Sequence, residues 1–185
     1  MKPVDPARRE LVLERPAGTL AEGVVLQVST KSRVVGLPGL PKVARSSIHV
    51  TPDGAEGDYN RFRAESLGGD PAQAILLLTQ EVLSTLNAEG WPANPGDLGE
   101  NITIRVPERT LAPGRRVEVG PVVLEVTLAC EPCNELYTLP FVGDDRGPAF
   151  LKTMLGRRGW YARVLSGGEV WPGMSVRVLS SETSH

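Results

Sequence analysis

The sequence contains few of the residues that identify a metal-stabilised or disulfide-stapled protein, with two cysteines and two histidines among 185 residues. Two cysteines are too few for a disulfide framework, and a structural zinc site needs about four Cys or His ligands. The histidines are His49 and His185, the second of which ends a polar tail. The sequence therefore argues against a zinc finger and predicts free thiols in a reducing compartment.

Charge of one sign and long apolar runs are also missing. The chain has 20 Lys and Arg against 22 Asp and Glu, for a net charge of -2. This balance creates no field that attracts nucleic acid or a membrane surface, so we expect neither as a partner. No segment has the apolar length of a secretory signal or a membrane span. We expect a cytoplasmic protein that acts on a small-molecule substrate.

Turn-forming residues are abundant, with 20 glycines and 16 prolines. They divide the chain into short stretches rich in β-branched residues, many of which alternate with polar ones. Strands at this spacing are typical of a barrel or a sandwich. We predict strands in six stretches: 23–32, 46–52, 101–107, 115–129, 161–170 and 175–180.

Two segments have helical periodicity instead. The segment 70–90 combines apolar residues at helical spacing with Asp70 as a cap and Gly90 as a terminator. The segment 147–159 has an apolar face that follows Pro148. We predict one helix in each segment.

The chain contains no internal repeat, and its length and 41% apolar content are typical of a single domain. We predict an N-terminal arm at 1–22, one β-rich domain at 23–180 and a polar tail at 181–185.

Both cysteines lie in the stretch LACEPCNEL, as Cys130 and Cys133, where a strong strand pattern ends. A thioredoxin-like pair needs a helix directly after its first cysteine, and no helical run follows here. Loops at strand ends often carry binding groups. Free cysteines are also often small buried residues with no chemical role. From the residues alone both interpretations stay open.

Six further motifs surround the cysteines in a characteristic order. They are GLPGLPKVA (36–44), DGAEGD (53–58), LGGDPAQAILLL (67–78), PGDLGENITI (95–104), LAPGRRVEVGPVVLEVT (111–127) and GRRGWYARVLSGGEVWPGMSVRVL (156–179). With this order and spacing the chain resembles the MOSC domain, the molybdenum cofactor sulfurase C-terminal domain superfamily, and in particular its stand-alone bacterial members. The resemblance covers roughly residues 23–180. It implies a mainly β fold, a MOSC-type β-barrel with a few peripheral α-helices.

The resemblance also implies which sulfur is functional. In the family a cysteine just after the long strand, typically preceded by proline, is the reactive residue, and this motif falls on Cys133. Its family role is to carry sulfane sulfur as a persulfide or, in members that reduce N-hydroxylated compounds, to bind the metal of the molybdenum cofactor (molybdopterin). Both roles require an accessible thiolate. Cys130 is then a second catalytic candidate, as a resolving sulfur that closes a disulfide with Cys133.

A phosphate-bearing pterin would need cations and backbone amides around that sulfur. The family-like positions for cofactor binding are Lys42, Arg61, Arg63, Gly68, Gly69, Asn101, Arg157 and Arg158. Each arginine taken singly also fits a solvated surface residue, and Asn101 also fits a turn residue that fixes a loop.

Two positions depart from the family pattern. Many relatives have a histidine before the paired glycines, where this chain has Leu67, and an arginine three residues before the functional cysteine, where it has Cys130. Both changes remove a polar or cationic group, and Glu131 adds a negative charge that opposes a thiolate. Two further hypotheses therefore stay open: a non-catalytic barrel that binds a pterin or another anion, and a barrel whose site has decayed.

Relatives that hold the cofactor firmly often have an additional N-terminal barrel, for which the arm at 1–22 is too short. We therefore expect a homodimer, an electron-transfer partner or a molybdoenzyme partner to complete the cleft, with a small molecule as the substrate or sulfur donor.

Overall fold

The structure is a computed structural model that describes residues 18–58 and 68–181. The predictions made for Arg61, Arg63 and Leu67, and those for most of the arm and tail, lie outside the described residues.

Strands dominate these residues, and eleven are present. They are β1 (Thr19–Thr30), β2 (Val43–Arg45), β3 (Ile48–Thr51), β4 (Gly54–Ala55), β5 (Ile75–Thr79), β6 (Ile102–Arg105), β7 (Arg116–Val119), β8 (Val122–Ala129), β9 (Trp160–Ser166), β10 (Gly168–Val170) and β11 (Ser175–Leu179). The described residues also contain two α-helices, α1 (Gln80–Ala88) and α2 (Gly143–Thr153), neither of which is long and apolar enough to cross a membrane.

Seven strands close into a barrel in the order β11-β7-β8-β9-β5-β6-β1, because the long strand β1 pairs with both β6 and β11. The pair β5–β6 is parallel and the other six pairs are antiparallel. Strand β2 pairs with the C-terminal part of β1, and β10, β3 and β4 form a separate small sheet. The prediction of a mainly β barrel with a few helices is confirmed.

The β7–β8 hairpin shows why this sequence forms strands. Its alternating apolar residues, among them Val117, Val119, Leu124 and Val126, are buried, while the residues between them are more exposed. Gly120 occupies the connecting turn with a φ of 55°, a backbone conformation that favours glycine. Each buried aliphatic side chain contributes roughly 1.5–3 kcal/mol relative to exposure to water. Residues of this kind from all seven barrel strands form the barrel core.

A second apolar cluster, here called the helix core, lies under the two helices. Its members are Leu40, Leu78, Val82, Leu83, Leu86, Ala93, Leu98, Leu136, Leu139, Val142, Phe150 and Met154. The ring of Phe150 contacts Trp91 at a centroid distance of 4.7 Å and Phe141 at 5.7 Å, within the range of favourable aromatic pairs. Because Leu136 and Leu139 belong to this core, it also anchors the loop that follows β8.

The prediction of one helix across 70–90 is wrong for its first half. Residues Ile75–Thr79 form strand β5, and the helix begins only at Gln80. An apolar run such as ILLL fits a buried strand as well as a buried helix. Here β5 pairs with β6 on one side and β9 on the other, and all five of its residues are buried, so pairing on both edges outweighs the local periodicity. Gly90, with a φ of 90°, lies just beyond the helix end as predicted.

The second predicted helix is present but shifted. It spans Gly143–Thr153 rather than 147–159, so that Pro148 lies inside it. The neighbouring Gly147 faces the ring of Tyr137, since a Cβ built there would lie 2.4 Å from that ring. This close contact packs α2 against the loop after β8.

Glu100 is a fully buried carboxyl group in the β-rich part of the molecule. Its Oε1 accepts hydrogen bonds from the Gly96 amide at 2.6 Å and the Thr103 hydroxyl at 2.8 Å, while Oε2 has no hydrogen-bond partner among the described residues. Burial raises the pKa of Glu100, and these hydrogen bonds offset only part of the effect. The folded protein therefore favours the neutral acid.

We predict that Glu100→Gln stabilises the protein at alkaline pH and has little effect at acidic pH. A carboxyl group whose pKa is raised by folding contributes stability below its unfolded pKa and loses it as the pH rises through the folded pKa. Glutamine is neutral at every pH and keeps the accepting oxygen. In urea unfolding we expect a gain on the order of 1 kcal/mol at about pH 8 and nearly none at about pH 4.

Glu56→Gln provides the control, because it makes the same chemical change at an exposed position. An effect of Glu100→Gln that does not vary with pH would contradict the assignment of a neutral buried acid.

Candidate functional site

A cleft of about 1020 Å³ opens where several loops and strand ends meet. Its walls come mainly from segments 37–42, 53–58, 73–76 and 128–135, with single residues from elsewhere in the chain. A volume of this size is sufficient for a small-molecule or cofactor ligand.

Cys133 lies in this cleft and is exposed. The loop after β8 turns at this residue, because the Cys133 carbonyl accepts a hydrogen bond from the Leu136 amide at 3.1 Å at the start of the 3₁₀ turn Asn134–Thr138. The Leu136 side chain is fully buried in the helix core. An anchored loop thus presents the sulfur to the cleft.

The buried side chain of Arg158 contacts the Cys133 sulfur. Its Nη1 donates to Cys133 Sγ at 3.0 Å and to the Glu131 carbonyl at 3.0 Å, and its Nε donates to the Leu98 carbonyl at 3.3 Å. The side chain reaches this place because β9 starts close to β5: a Cβ at Gly159 would lie 2.2 Å from the Leu77 carbonyl oxygen. Only 7% of Arg158 is exposed.

The guanidinium of Arg158 has no carboxylate partner within the described ranges, and its hydrogen-bond acceptors there are two carbonyls and one sulfur. Burial alone would lower the pKa of Arg158, but the sulfurs of Cys130 and Cys133 outweigh that effect and raise it. A buried charge is costly unless it is paired. Cys133 Sγ is the side-chain acceptor that this charge has among the described residues.

Cys130 occupies a different environment. It is 3% exposed, its Sγ lies 3.7 Å from the Glu131 carbonyl, and it is not part of the cleft wall. Burial raises the pKa of the Cys130 thiol, although the Arg158 charge and a hydrogen bond with Tyr161 offset part of the increase. The folded protein thus keeps Cys130 as a buried thiol, and its role as a resolving sulfur stays a prediction.

Lys42 and Asn101 meet around Asp58 in another part of the cleft wall. The Asp58 Oδ2 accepts from Lys42 Nζ at 2.7 Å and from Asn101 Nδ2 at 2.8 Å, and its Oδ1 accepts from the Lys31 amide at 2.7 Å. Burial would raise the pKa of Asp58, but the Lys42 charge and these hydrogen bonds lower it overall. The carboxylate therefore compensates the charge of Lys42.

Asn101 also joins separate parts of the barrel. Its Oδ1 accepts from the Leu76 amide at 3.1 Å, and its Nδ2 donates to the Ser29 carbonyl at 3.3 Å as well as to Asp58. The side chain lies at the cleft wall with its hydrogen-bonding groups used by the protein. This arrangement matches the alternative in which Asn101 fixes the local structure.

Three other candidates lie outside the cleft wall. Gly68 and Gly69, with φ of 60° and 77°, precede Asp70, which caps the three-residue 3₁₀ turn Pro71–Gln73 by accepting from the Ala72 amide at 2.9 Å. The expected α-helix N-terminus at Asp70 is absent, so its dipole cannot contribute to anion binding. Arg157 donates through Nη1 to both carboxylate oxygens of Glu89, at 2.7 and 2.8 Å.

Sequence reasoning missed several residues of the cleft wall, including Lys31, Leu128 and Tyr161. Tyr161 lies opposite Leu128 in the β8–β9 pairing. Each lies in a stretch predicted as a strand, and the pairing of those strands, had it been known, would have placed the two side chains together.

Comparison with solved structures supports the fold. The YuaD protein from Bacillus subtilis aligns with a TM-score of 0.69 and 16% identity, over 87% of this chain and 97% of YuaD. YiiM from Escherichia coli aligns with a TM-score of 0.58 and 18% identity, over 87% of this chain and 72% of that protein. YiiM from Geobacillus stearothermophilus aligns with a TM-score of 0.56 and 20% identity, over 85% of this chain and 73% of that protein. At these identities the likeness concerns the fold.

A search of curated proteins gives no significant match. The family model of the MOSC domain, in contrast, matches residues 64–177, which is more than half of the chain. This match spans the strands from β5 to β10, the first part of β11, and both residues of the cysteine–arginine contact. The chain therefore belongs to the MOSC domain family.

Proposed function

We propose that this MOSC domain binds the molybdenum cofactor in the cleft, with Cys133 as a ligand of the metal, and that it reduces N-hydroxylated small molecules. The observation that carries the proposal is the exposed Cys133 sulfur, 3.0 Å from a buried guanidinium that has no carboxylate partner in the described part of the chain. Cysteine binds metals through its sulfur, and here that sulfur is both exposed and next to a fixed cationic donor.

The residues of the cleft fit such a group. A thiolate is a soft ligand suited to a metal that is itself held by sulfur. Within residues 18–58 and 68–181, no group of three or more His, Cys, Asp or Glu side chains is placed to hold a metal ion. A metal at Cys133 would therefore take its remaining ligands from a bound molecule, as a pterin dithiolene provides them.

The protein's own residues would act by position and charge. Arg158 would stabilise negative charge on the Cys133 sulfur. Lys42, whose ammonium group is held by Asp58, would offer a positive charge to the anionic part of the pterin. The cofactor, when bound, supplies the two electrons that cleave an N–O bond. Cleavage also consumes two protons, and the open cleft admits the water that can deliver them.

The charge of the cleft wall supports local rather than general anion recognition. Carboxylates and cations are both present in the wall, namely Asp53, Asp58, Glu131 and Glu135 with Lys31, Lys42 and Arg158. Such a mixed wall does not attract anions as a whole. Binding of a pterin would depend on individual contacts, and most of all on the contact at Cys133.

Sulfane sulfur carriage by Cys133 is the second candidate function. The exposure of Cys133 favours it, because a persulfide must be reached first by a donor and then by an acceptor. The Arg158 Nη1 donor would stabilise the negative charge of a persulfide as it does that of a thiolate.

We predict that Cys133→Ala abolishes molybdenum binding. Protein produced in a host that makes the cofactor should contain molybdenum and pterin in near-equal amounts, and the variant should lose the metal because its protein ligand is gone. Elemental analysis and pterin fluorescence provide the measurement. Cys130→Ala, which removes the other sulfur from a buried position, should retain the metal.

Other outcomes separate the alternatives. Pterin retained by Cys133→Ala without metal would favour a non-catalytic pterin-binding barrel. A parent protein that takes up neither molybdenum nor sulfane sulfur would contradict both candidate functions and favour a decayed site.

We predict that Arg158→Gln slows alkylation of Cys133 by iodoacetamide at neutral pH by about tenfold, because a charge-assisted hydrogen bond to the reactive sulfur is lost. Mass spectrometry of the labelled peptide gives the rate. Arg158→Lys keeps a positive charge at the site and should lie between parent and Arg158→Gln.

Arg163→Gln is the matched control, because Arg163 lies on β9 and pairs with Glu125 outside the cleft. Equal alkylation rates for the parent and the folded Arg158 variants, judged by circular dichroism, would show that the guanidinium does not control the sulfur.

A further inference from the structure

Arg158 has one nitrogen that the protein does not use. Nη1 donates to Cys133 and Glu131, and Nε donates to Leu98, whereas Nη2 has no hydrogen-bond partner among residues 18–58 and 68–181. The side chain is more than nine-tenths buried and still forms part of the cleft wall. Nη2 is not among the fully buried side-chain atoms that lack a partner, so this corner of the guanidinium is accessible from the cleft.

Gly99, another residue of the cleft wall, lies next to Nη2. A Cβ built on Gly99 would lie 3.8 Å from Nη2 and 3.0 Å from Leu40 Cδ2. Gly99 has a φ of 91°, which favours glycine at this position. Because Gly99 has no side chain, no Cβ covers Nη2 at this point of the cleft wall.

The two Nη atoms of one guanidinium are neighbours, so an acceptor on Nη2 lies beside the sulfur held by Nη1. The acceptor that suits a guanidinium best is an anionic oxygen. The site thus combines a nucleophilic sulfur with an adjacent place for an oxyanion.

We propose that Arg158 Nη2 and the space at Gly99 form an oxyanion subsite, and that Cys133 takes sulfane sulfur from thiosulfate-type donors whose leaving group is a sulfur oxyanion. This inference rests on the second candidate function, the carriage of sulfur by Cys133, and adds the class of donor. The donor's oxygens would contact Nη2 while its outer sulfur meets Cys133 Sγ.

The transfer is balanced without a further reagent. The Cys133 thiolate attacks the outer sulfur of thiosulfate, a new S–S bond forms at Sγ, and the S–S bond of the donor breaks. Its electron pair leaves with the sulfonate sulfur as sulfite, and Cys133 retains a persulfide anion. No proton is required in this step, and the oxidation level of the donor's outer sulfur passes to the cysteine persulfide.

The guanidinium assists this donor class specifically. Negative charge accumulates on the departing sulfite, and a preorganised cationic donor at that point lowers the barrier. A polysulfide donor loses hydrosulfide or a shorter polysulfide, neither of which has oxygen atoms for Nη2. Both donors require the same nucleophile, so the ratio of their rates isolates the contribution of the subsite.

Single-turnover experiments with thiosulfate and with inorganic polysulfide test the inference. The parent should gain one sulfur atom at Cys133 from either donor, as seen by mass spectrometry, and release one sulfite per chain from thiosulfate. Arg158→Lys should lower the thiosulfate-to-polysulfide rate ratio by about tenfold, since lysine lacks the second donor arm. Arg163→Gln should leave the ratio unchanged.

A measurement on the parent protein covers the case in which Arg158→Lys does not fold. Added sulfate, which does not react with either donor, should compete with thiosulfate for the subsite and should not slow the transfer from polysulfide, as followed by mass spectrometry of Cys133. Absence of competition by sulfate would overturn the subsite.

The remaining outcomes separate this inference from the function on which it rests. Sulfur transfer from polysulfide but not from thiosulfate would overturn the oxyanion subsite and leave sulfur carriage intact. Failure of both donors to modify Cys133 would overturn sulfur carriage itself. Release of sulfite by Cys133→Ser at the parent's rate would show that the reaction does not use this cysteine.

Discussion

The contact between the Arg158 guanidinium and the Cys133 sulfur is the interaction on which the site depends. It places a buried positive charge where a single sulfur, rather than a carboxylate of the described residues, is the partner that can become negative. Removing either member would leave the other in an unfavourable state, since a buried cation needs an anion and an isolated thiolate needs a donor. The pair therefore has to be considered as one unit.

The second charged group of the cleft works differently. Lys42 and Asp58 satisfy each other, and Asn101 ties their carboxylate to the barrel. Because Asp58 already neutralises the charge of Lys42, this pair fixes part of the cleft wall but does not need a bound anion. In the described part of the chain, Arg158 Nη2 is a donor of the cleft wall without a protein acceptor, and it belongs to the guanidinium that contacts Cys133 Sγ.

Much of the fold could be predicted because turn residues separate its strands so clearly, as the β7–β8 hairpin illustrates. The exception, Ile75–Thr79, is an uninterrupted apolar run whose state depends on neighbours far away in sequence. Cys133 could be proposed as a site residue through its family motif, but its contact with Arg158 could not be predicted, because 25 residues separate the two and the contact depends on the tertiary structure. Tertiary contacts also separate Arg157 from Arg158, which are adjacent in sequence: Arg157 donates to Glu89, whereas Arg158 donates to Cys133.

The cleft also lies between two separately packed cores. Cys133 belongs to a loop anchored by Leu136 in the helix core, whereas Asn101 and Asp58 are fastened to strands of the barrel. Arg158 bridges the two regions by donating to Leu98 of the helix core from the start of a barrel strand. A displacement of one core relative to the other would therefore change the shape of the cleft around Cys133. Amide exchange in the loop after β8 would report opening of the site, even while the barrel amides remain protected.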